Sequence, residues 1–218
     1  MDFSGMFENL ELNNSNKIYG VVTGVVKEND DPEKLGRIRV EFPWRQCCDT
    51  SGWARVLTPL AGNGFGLYFL PEVGDEVLVA FGEGDINNPY VIGSLWNSKQ
   101  KPLETNSDKK NNIRKIRSRS GHEIVFNDNK ENNEGKIEIH TNAGQMILLD
   151  ESASTQSIEI KDKGGSSIKM DSMNKAITIK CDMQLNISAK MIEIEADTSL
   201  KLKAGAVLTI EGGIVKIN

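Results

Sequence analysis

The stretch KIEIHT at residues 136–141 alternates apolar and polar side chains, and near-copies of it recur through the second half of the chain. A period of two places successive side chains on opposite faces of a β-strand. Each copy therefore predicts a strand with one apolar face and one wet face. The other copies are SIEIKD (157–162), AITIKC (176–181), MIEIEA (191–196) and SLKLKA (199–204).

The spacing of these strands shortens along the chain. A longer repeat begins at Gly121, Gly144 and Gly165, and each glycine is followed three and five residues later by an apolar pair. From Ile177 onward the apolar pairs recur every seven or eight residues, which is enough for one strand and one tight corner. No Phe, Tyr or Trp follows Phe126, so the predicted interior is narrow and filled by Ile, Leu, Val and Met.

One such unit supplies one side of a prism, and two arrangements can be built from it. A single chain can wind three units per turn into a β-solenoid, or three chains can each supply one side. The period alone does not separate the two. Alternation places Glu193, Lys201 and Lys216 toward water. The predicted shaft core consists of Ile179, Ile187, Ile194, Leu202 and Ile210.

Residues 17–97 predict a different β-structure, a small closed barrel. In GRIRVEF, the side chains of Ile38, Val40 and Phe42 share one face, and Pro43 ends the strand because it has no N–H to donate. Five short strands with little helical pattern favour an OB-like barrel, so the predicted fold class is all-β. The predicted strands are Tyr19–Lys27, Gly36–Phe42, Trp53–Leu57, Glu76–Phe81 and Tyr90–Leu95.

Composition argues against several function classes. The net charge of −5 offers no broad basic field for nucleic acid or anionic lipid, and no apolar run approaches the length of a membrane span. The cysteines Cys47, Cys48 and Cys181 fit no disulfide framework or metal spacing. The histidines His122 and His140 form no catalytic or metal-binding motif. We therefore expect no enzymatic activity, no cofactor and no bound metal.

An OB barrel can also bind oligonucleotides or saccharides through aromatic side chains in a groove. The loop TPLAGNGFGLYFLPEVGD (58–75) supplies aromatics and glycines, but no Lys-Ser/Thr pair follows its glycines and the barrel surface has mixed charge. The alternative function is therefore a nucleic-acid- or saccharide-binding OB-fold protein that carries a monomeric β-solenoid.

Four stretches of the chain resemble a known family. They are GRIRVEFPW (36–44), WARVLTPLAGNGFG (53–66), LPEVGDEVLVAFGEGDINNPYVIGSLWN (70–97) and RSRSGHEIVFND (117–128). Together they resemble the contractile-tail spike proteins, the group of phage baseplate assembly protein V and VgrG. The resemblance implies an OB-fold barrel followed by an intertwined trimeric β-helix. It also implies that three chains form the central spike of a phage tail, tailocin, type VI or extracellular injection system.

The strand pattern and composition divide the chain into four parts, and the resemblance implies a cellular location. The expected divisions are an N-terminal arm (1–16), the OB barrel (17–97), a polar linker (98–112) and the β-helical shaft (113–218). The protein is expected to be made in the bacterial cytoplasm and to reside in the baseplate of a phage-tail-like particle. It would pierce the target membrane transiently and bind no nucleic acid.

The expected partners lie at the two ends of the spike. About sixteen residues precede the barrel, so the hub at the end of the tail tube is expected to be a separate polypeptide. A small PAAR-type protein is expected to cap the other end. No histidine follows His140, so an apical iron site of the His-x-His kind is not expected. The predicted cap interface consists of Ile214, Val215, Ile217 and Asn218.

Overall fold

A computed structural model describes residues 17–45, 49–129 and 134–217, and it divides the chain into two compact units between Lys109 and Lys110. Within the described ranges, the regular structure consists of β-strands and one short 3₁₀ turn at Gly82–Gly84. The predicted all-β fold class is thus confirmed. The arm (1–16) and the Cys47–Cys48 pair lie outside the described residues.

The first unit is a curled five-stranded sheet with a small hairpin beside it. The strands of this unit are β1 (Val21–Glu28), β2 (Arg39–Glu41), β3 (Arg55–Val56), the hairpin β4 (Ala61–Gly62) and β5 (Phe65–Gly66), β6 (Glu76–Phe81) and β7 (Pro89–Ser94). The order in the five-stranded sheet is β2-β1-β6-β7-β3, and isolated bridges from Ile38 to Ala54 and from Glu41 to Thr50 join its two ends. The sheet therefore closes on itself as an OB-like barrel.

The barrel buries its apolar side chains within one chain. Ile38, Val40 and Phe42 are at most 2% exposed, which confirms the predicted inner face of GRIRVEF. The ring of Phe42 lies 5.8 Å from that of Phe81, in a tilted arrangement that aromatic pairs favour. The buried core consists of Val26, Ile38, Val40, Phe42, Ala54, Val77, Val79, Phe81 and Val91.

The second unit contains a seven-stranded antiparallel sheet in which each strand pairs with the next along the chain. Every strand has five residues, and no pair in the sheet shows a register shift. The sheet is therefore a meander of hairpins. Its strands are β8 (Ile113–Arg117), β9 (Glu123–Asn127), β10 (Lys136–His140), β11 (Met146–Asp150), β12 (Ser157–Lys161), β13 (Ser167–Asp171) and β14 (Ala176–Lys180).

The glycines of the longer sequence repeat occupy equivalent turns on one side of this sheet. Gly121, Gly144 and Gly165 have φ values of +90°, +99° and +94°, in the left-handed region that disfavours residues with a Cβ. The amide of Gly121 donates a hydrogen bond to the carbonyl of Ser118, and the other two glycines make the same contact three residues back. Each glycine therefore closes a tight hairpin, which explains the repeat.

After β14 the alternating sequence pattern continues, but the chain forms no further strand. Within residues 182–217, all of which the structure describes, the backbone makes no hydrogen bond. A strand is defined by its pairing, and a single chain offers this segment no partner. The segments predicted here as strands therefore have no hydrogen-bonded neighbour in the isolated chain.

Candidate assembly surfaces

One side of the meander sheet carries a continuous apolar surface, which we call the apolar face. Cross-strand register aligns its side chains: Ile147 lies opposite Ile160, and Ile168 lies opposite Ile179. Members from β10 to β14 are between 38% and 71% exposed. A soluble monomer rarely exposes so large a continuous apolar patch. The apolar face consists of Ile124, Phe126, Ile137, Ile139, Ile147, Leu149, Ile158, Ile160, Ile168, Met170, Ile177 and Ile179.

An open groove of about 530 Å³ lies on this face toward β14. Ile147, Ile160 and Ile179 line it, together with Cys181 and Leu185 from the segment that follows the last strand. Of the predicted shaft core, the structure therefore places Ile179 on the apolar face. Cys181 is a half-buried free thiol beside it.

The segment 182–217 exposes its apolar side chains even more strongly. Each of the four predicted core residues in this segment is more than half exposed, and no strand brings them together. Apolar side chains are unfavourable in water, and the backbone groups of this segment have no partner within the chain. We therefore infer that the segment lacks its packing partner in the single chain. The exposed fractions are 67% for Ile187, 63% for Ile194, 61% for Leu202 and 62% for Ile210.

The predicted cap residues lie in the same exposed segment. The side chains of Ile214 and Ile217 are 82% and 87% exposed, and Val215 is 49% exposed. Asn218 lies outside the described residues. The structure therefore leaves the apolar groups of the predicted cap interface open to solvent.

The other side of the meander, the polar face, carries charged rows with a small apolar island. Arg117 and His140 approach Glu123 at 3.1 and 3.2 Å across neighbouring strands. Val125 is only 8% exposed, and the half-buried Leu148 lies two strands away, with Glu138 between them in register. Sequence alternation missed this island, although unbroken apolar runs such as MILL (146–149) are a signal for it.

The two histidines are held separately by local contacts. His140 faces Glu123, whereas His122 accepts a hydrogen bond at Nδ1 from the amide of Asn142 at 3.4 Å. Across the described ranges, no group of three or more His, Cys, Asp or Glu side chains is placed to hold a metal ion. In the same ranges, no helix has the length and apolar character of a membrane-spanning segment.

The loop after β3 forms an uncharged groove on the barrel. Residues 57–71 contain no charged side chain, and they surround a volume of about 580 Å³. Phe65, Tyr68 and Phe69 are between 66% and 76% exposed around it. Single-stranded nucleic acid binds grooves that combine aromatic platforms with basic side chains, and no Lys or Arg lines this groove.

The loop between β1 and β2 is organised by a buried ion pair that the sequence pattern did not reveal. Asp31 is 2% exposed at its side chain and accepts two bonds from the Arg37 guanidinium at 2.8 and 2.9 Å. The amides of Glu33 and Leu35 also donate to it. The bonds from Arg37 lower the pKa of the Asp31 carboxyl well below its usual range, against the opposing effect of burial.

Comparison with known proteins points to one family. Residues 22–96 match the model of the type VI secretion system/phage-baseplate injector OB domain. The chain carries this OB domain and is similar to the VgrG-like spike family. The matched range covers all seven strands of the first unit except the first residue of β1.

The VgrG-like likeness extends beyond the barrel. The chain is 27% identical to the type VI secretion system spike protein VgrG1a of Pseudomonas aeruginosa, over 85% of its own length and 34% of that protein's. It is 44% identical to VgrG4b of the same organism over 36% of the chain and 10% of VgrG4b. The actin cross-linking toxin VgrG1 of Vibrio cholerae is 27% identical over 83% of the chain and 16% of the toxin.

This VgrG-like chain spans between about a tenth and a third of the length of these relatives. Its matches fall in their spike part. These matches support a role as a baseplate or type VI spike component, and the predicted spike-family likeness is confirmed.

Proposed function

We propose that three copies of this chain form the central spike of a contractile injection apparatus. In this proposal the barrels form a collar at the end of the tail tube, and the strand arrays form a needle that enters the target envelope first. The chain's role is structural, with no catalytic step. The spike-family matches and the exposed apolar face support it.

The observation that carries the proposal is the incompleteness of the second unit. The apolar face is exposed from Ile137 to Ile179, and residues 182–217 have no backbone partner. Two further copies remove both deficits, because three apolar faces can meet at one axis and three extended segments can pair with one another. The absence of aromatics after Phe126 suits such a narrow axis.

A needle of this kind is stiff because its contacts are numerous and uniform. Each backbone hydrogen bond contributes only about 1 kcal/mol net, but many must break together before the shaft bends. Pairing along the whole shaft also removes the exposed strand edges that promote aggregation. Alternating Glu and Lys side chains outside keep the rod hydrated.

The test is the mass of the purified full chain in solution. Size-exclusion chromatography with light scattering should give three times the chain mass of 24.1 kDa, with no monomer at micromolar concentration. A single-chain mass with a cooperative unfolding transition would contradict the trimer and favour the monomeric solenoid.

We also propose two partners, a separate hub protein on the barrel side and a PAAR-type cap on the segment 214–218. The exposed Ile214 and Ile217 side chains support the cap site. The double variant Ile214→Asp/Ile217→Asp should lose co-purification with a co-expressed cap protein while light scattering still reports a trimer. Lys216→Ala should retain the cap. Retention of the cap by the double variant would remove this site from the proposal.

A further inference from the structure

The two margins of the meander sheet carry opposite charge. The margin on the side of Gly121, Gly144 and Gly165, which we call the basic margin, is formed by one set of strand ends and turns. The opposite ends and turns form the acidic margin. Among the described residues, the charged members of the basic margin are Arg117, Arg119, Lys161, Lys163 and Lys180, with Glu123, Asp162 and Asp182. Those of the acidic margin are Asp128, Glu134, Asp150, Glu151 and Asp171, with Lys136 and Lys175.

Register places these side chains in two ordered rows. Met146, Lys161, Ser167 and Lys180 follow one another across the strands along the basic margin. Asp150, Ser157, Asp171 and Ala176 do so along the acidic margin, at the other ends of the same strands. The asymmetry therefore recurs from β11 to β14 and is not confined to one residue.

Contacts within the chain leave part of this charge uncompensated. On the basic margin, Arg117 is paired with Glu123. On the acidic margin, Asp128 is paired with Arg114, Asp171 lies 3.7 Å from Lys169, and Asp150 lies 3.9 Å from Lys136. For Lys161, Lys163 and Glu151, the described residues provide no ion pair. The exposed turn residues Lys163 and Glu151 are therefore available to another molecule.

The two margins cannot neutralise each other within one sheet. A five-residue strand rises about 3.3 Å per residue, so its ends lie roughly 13 Å apart. That distance exceeds the screening length of about 8 Å at physiological ionic strength. A direct ion pair for the unpaired members of either margin therefore has to come from another molecule with charge of the opposite sign.

We propose that a second copy of this chain supplies that margin, so that the basic margin of one sheet lies along the acidic margin of the next around the trimer axis. The inference rests on the proposed trimer. A closed ring of identical subunits uses two different surfaces of each copy, one for each neighbour, and the two margins meet that requirement. Charge pairing contributes register and orientation more than affinity, so the margins select the correct order of sheets.

The experiment is a charge-reversal cycle in the full chain. Lys163→Glu and Glu151→Lys should each weaken the trimer against urea, measured by light scattering across the dissociation transition. The variant carrying both changes restores opposite charges between neighbouring copies. The trimer dissociation constant of this double variant should be at least about fivefold lower than the product of the two single effects predicts, with the coupling summed over three interfaces. The recovery should vanish in 1 M NaCl.

A second acidic position tests which residues of neighbouring copies face each other. Glu134 lies in the adjacent turn of the same margin, where the amide of Glu151 donates a hydrogen bond to the carbonyl of Gly135, and Glu134→Lys provides the comparison. Whichever of the two reversals couples more strongly with Lys163→Glu identifies the residue that faces Lys163 of the adjacent sheet.

Glu138→Lys is the matched control, because it makes the same charge change in the middle of the polar face between Val125 and Leu148. It should show no coupling with Lys163→Glu. A trimer in which neither margin reversal couples with Lys163→Glu would overturn the margin pairing and leave the proposed function standing. A monomeric parent chain would overturn both.

Discussion

The barrel and the meander are built from the same alternating strands, yet only the barrel is complete within one chain. Val40, Val77 and Val79 of the barrel are wholly buried, whereas Ile160 and Ile179 of the meander are 49% and 54% exposed. A sheet that closes on itself covers its own apolar face. An open sheet leaves its apolar face uncovered until another surface packs against it. The segment after the meander sheet also lacks backbone hydrogen-bond partners within the chain.

This difference predicts that the barrel has a stability of its own, whereas the stability of the second unit depends on association. The free energy of unfolding of the barrel should be independent of protein concentration. That of the second unit should rise with concentration, because assembly is a mass-action process.

The largest effect is expected from Ile194→Lys. This side chain is 63% exposed in the single chain, so a lysine there is harmless to a monomer. In a trimer it would bring three charges toward one apolar axis, where burial without a partner is strongly unfavourable. Light scattering should show complete loss of the trimer. Lys201→Glu, on the opposite strand face, should assemble normally. Normal assembly of Ile194→Lys would mean that the facing assignment is inverted.

Two phenylalanine truncations compare the units directly. Phe42→Ala should lower the free energy of unfolding of the barrel by about 3–5 kcal/mol, because Phe42 is buried in the core. The fluorescence of Trp44, whose ring lies 5.6 Å from that of Phe42, can follow urea unfolding. Phe126→Ala, on the apolar face and 40% exposed in the single chain, should destabilise the protein by an amount that depends on concentration. Concentration independence of both effects would contradict the contrast.

The smallest of the three effects concerns the buried carboxylate of the barrel. The lowered pKa of Asp31 means that its ionised form is favoured by folding. Its contribution is therefore present above the ordinary pKa of an aspartate, about 3.9, and is lost as the pH falls below that value. Asp31→Asn should lower the thermal midpoint of the barrel at pH 7, and the difference from the parent should shrink at pH 3.

The neighbouring residue provides the control for that measurement. Asp30 is largely exposed, with an ion pair only to the exposed Lys34. Asp30→Asn should leave the midpoint almost unchanged at both pH values, since exposed ion pairs contribute little. An equal effect of the two substitutions would show that burial of Asp31 is not the source of its contribution.

Much of the barrel could be predicted from the sequence because its signals are local. The inward positions Ile38, Val40 and Phe42 follow from alternation, and Glu76–Phe81 is a strand with the predicted bounds. The Asp31–Arg37 pair was not predicted. The residues ENDDPEKLG read equally well as an ordinary solvent-exposed turn, and only the folded loop shows which carboxylate it buries.

In the second half, the sequence alone determined which positions alternate and where the glycine turns fall. Tertiary structure decided the pairing: residues 113–180 form a hairpin meander within one chain, whereas 182–217 find no partner there. It also decided that opposite charges collect at the two margins of the sheet. The physical reason is that alternation specifies side-chain direction, whereas strand pairing is made by backbone groups that are the same in every residue.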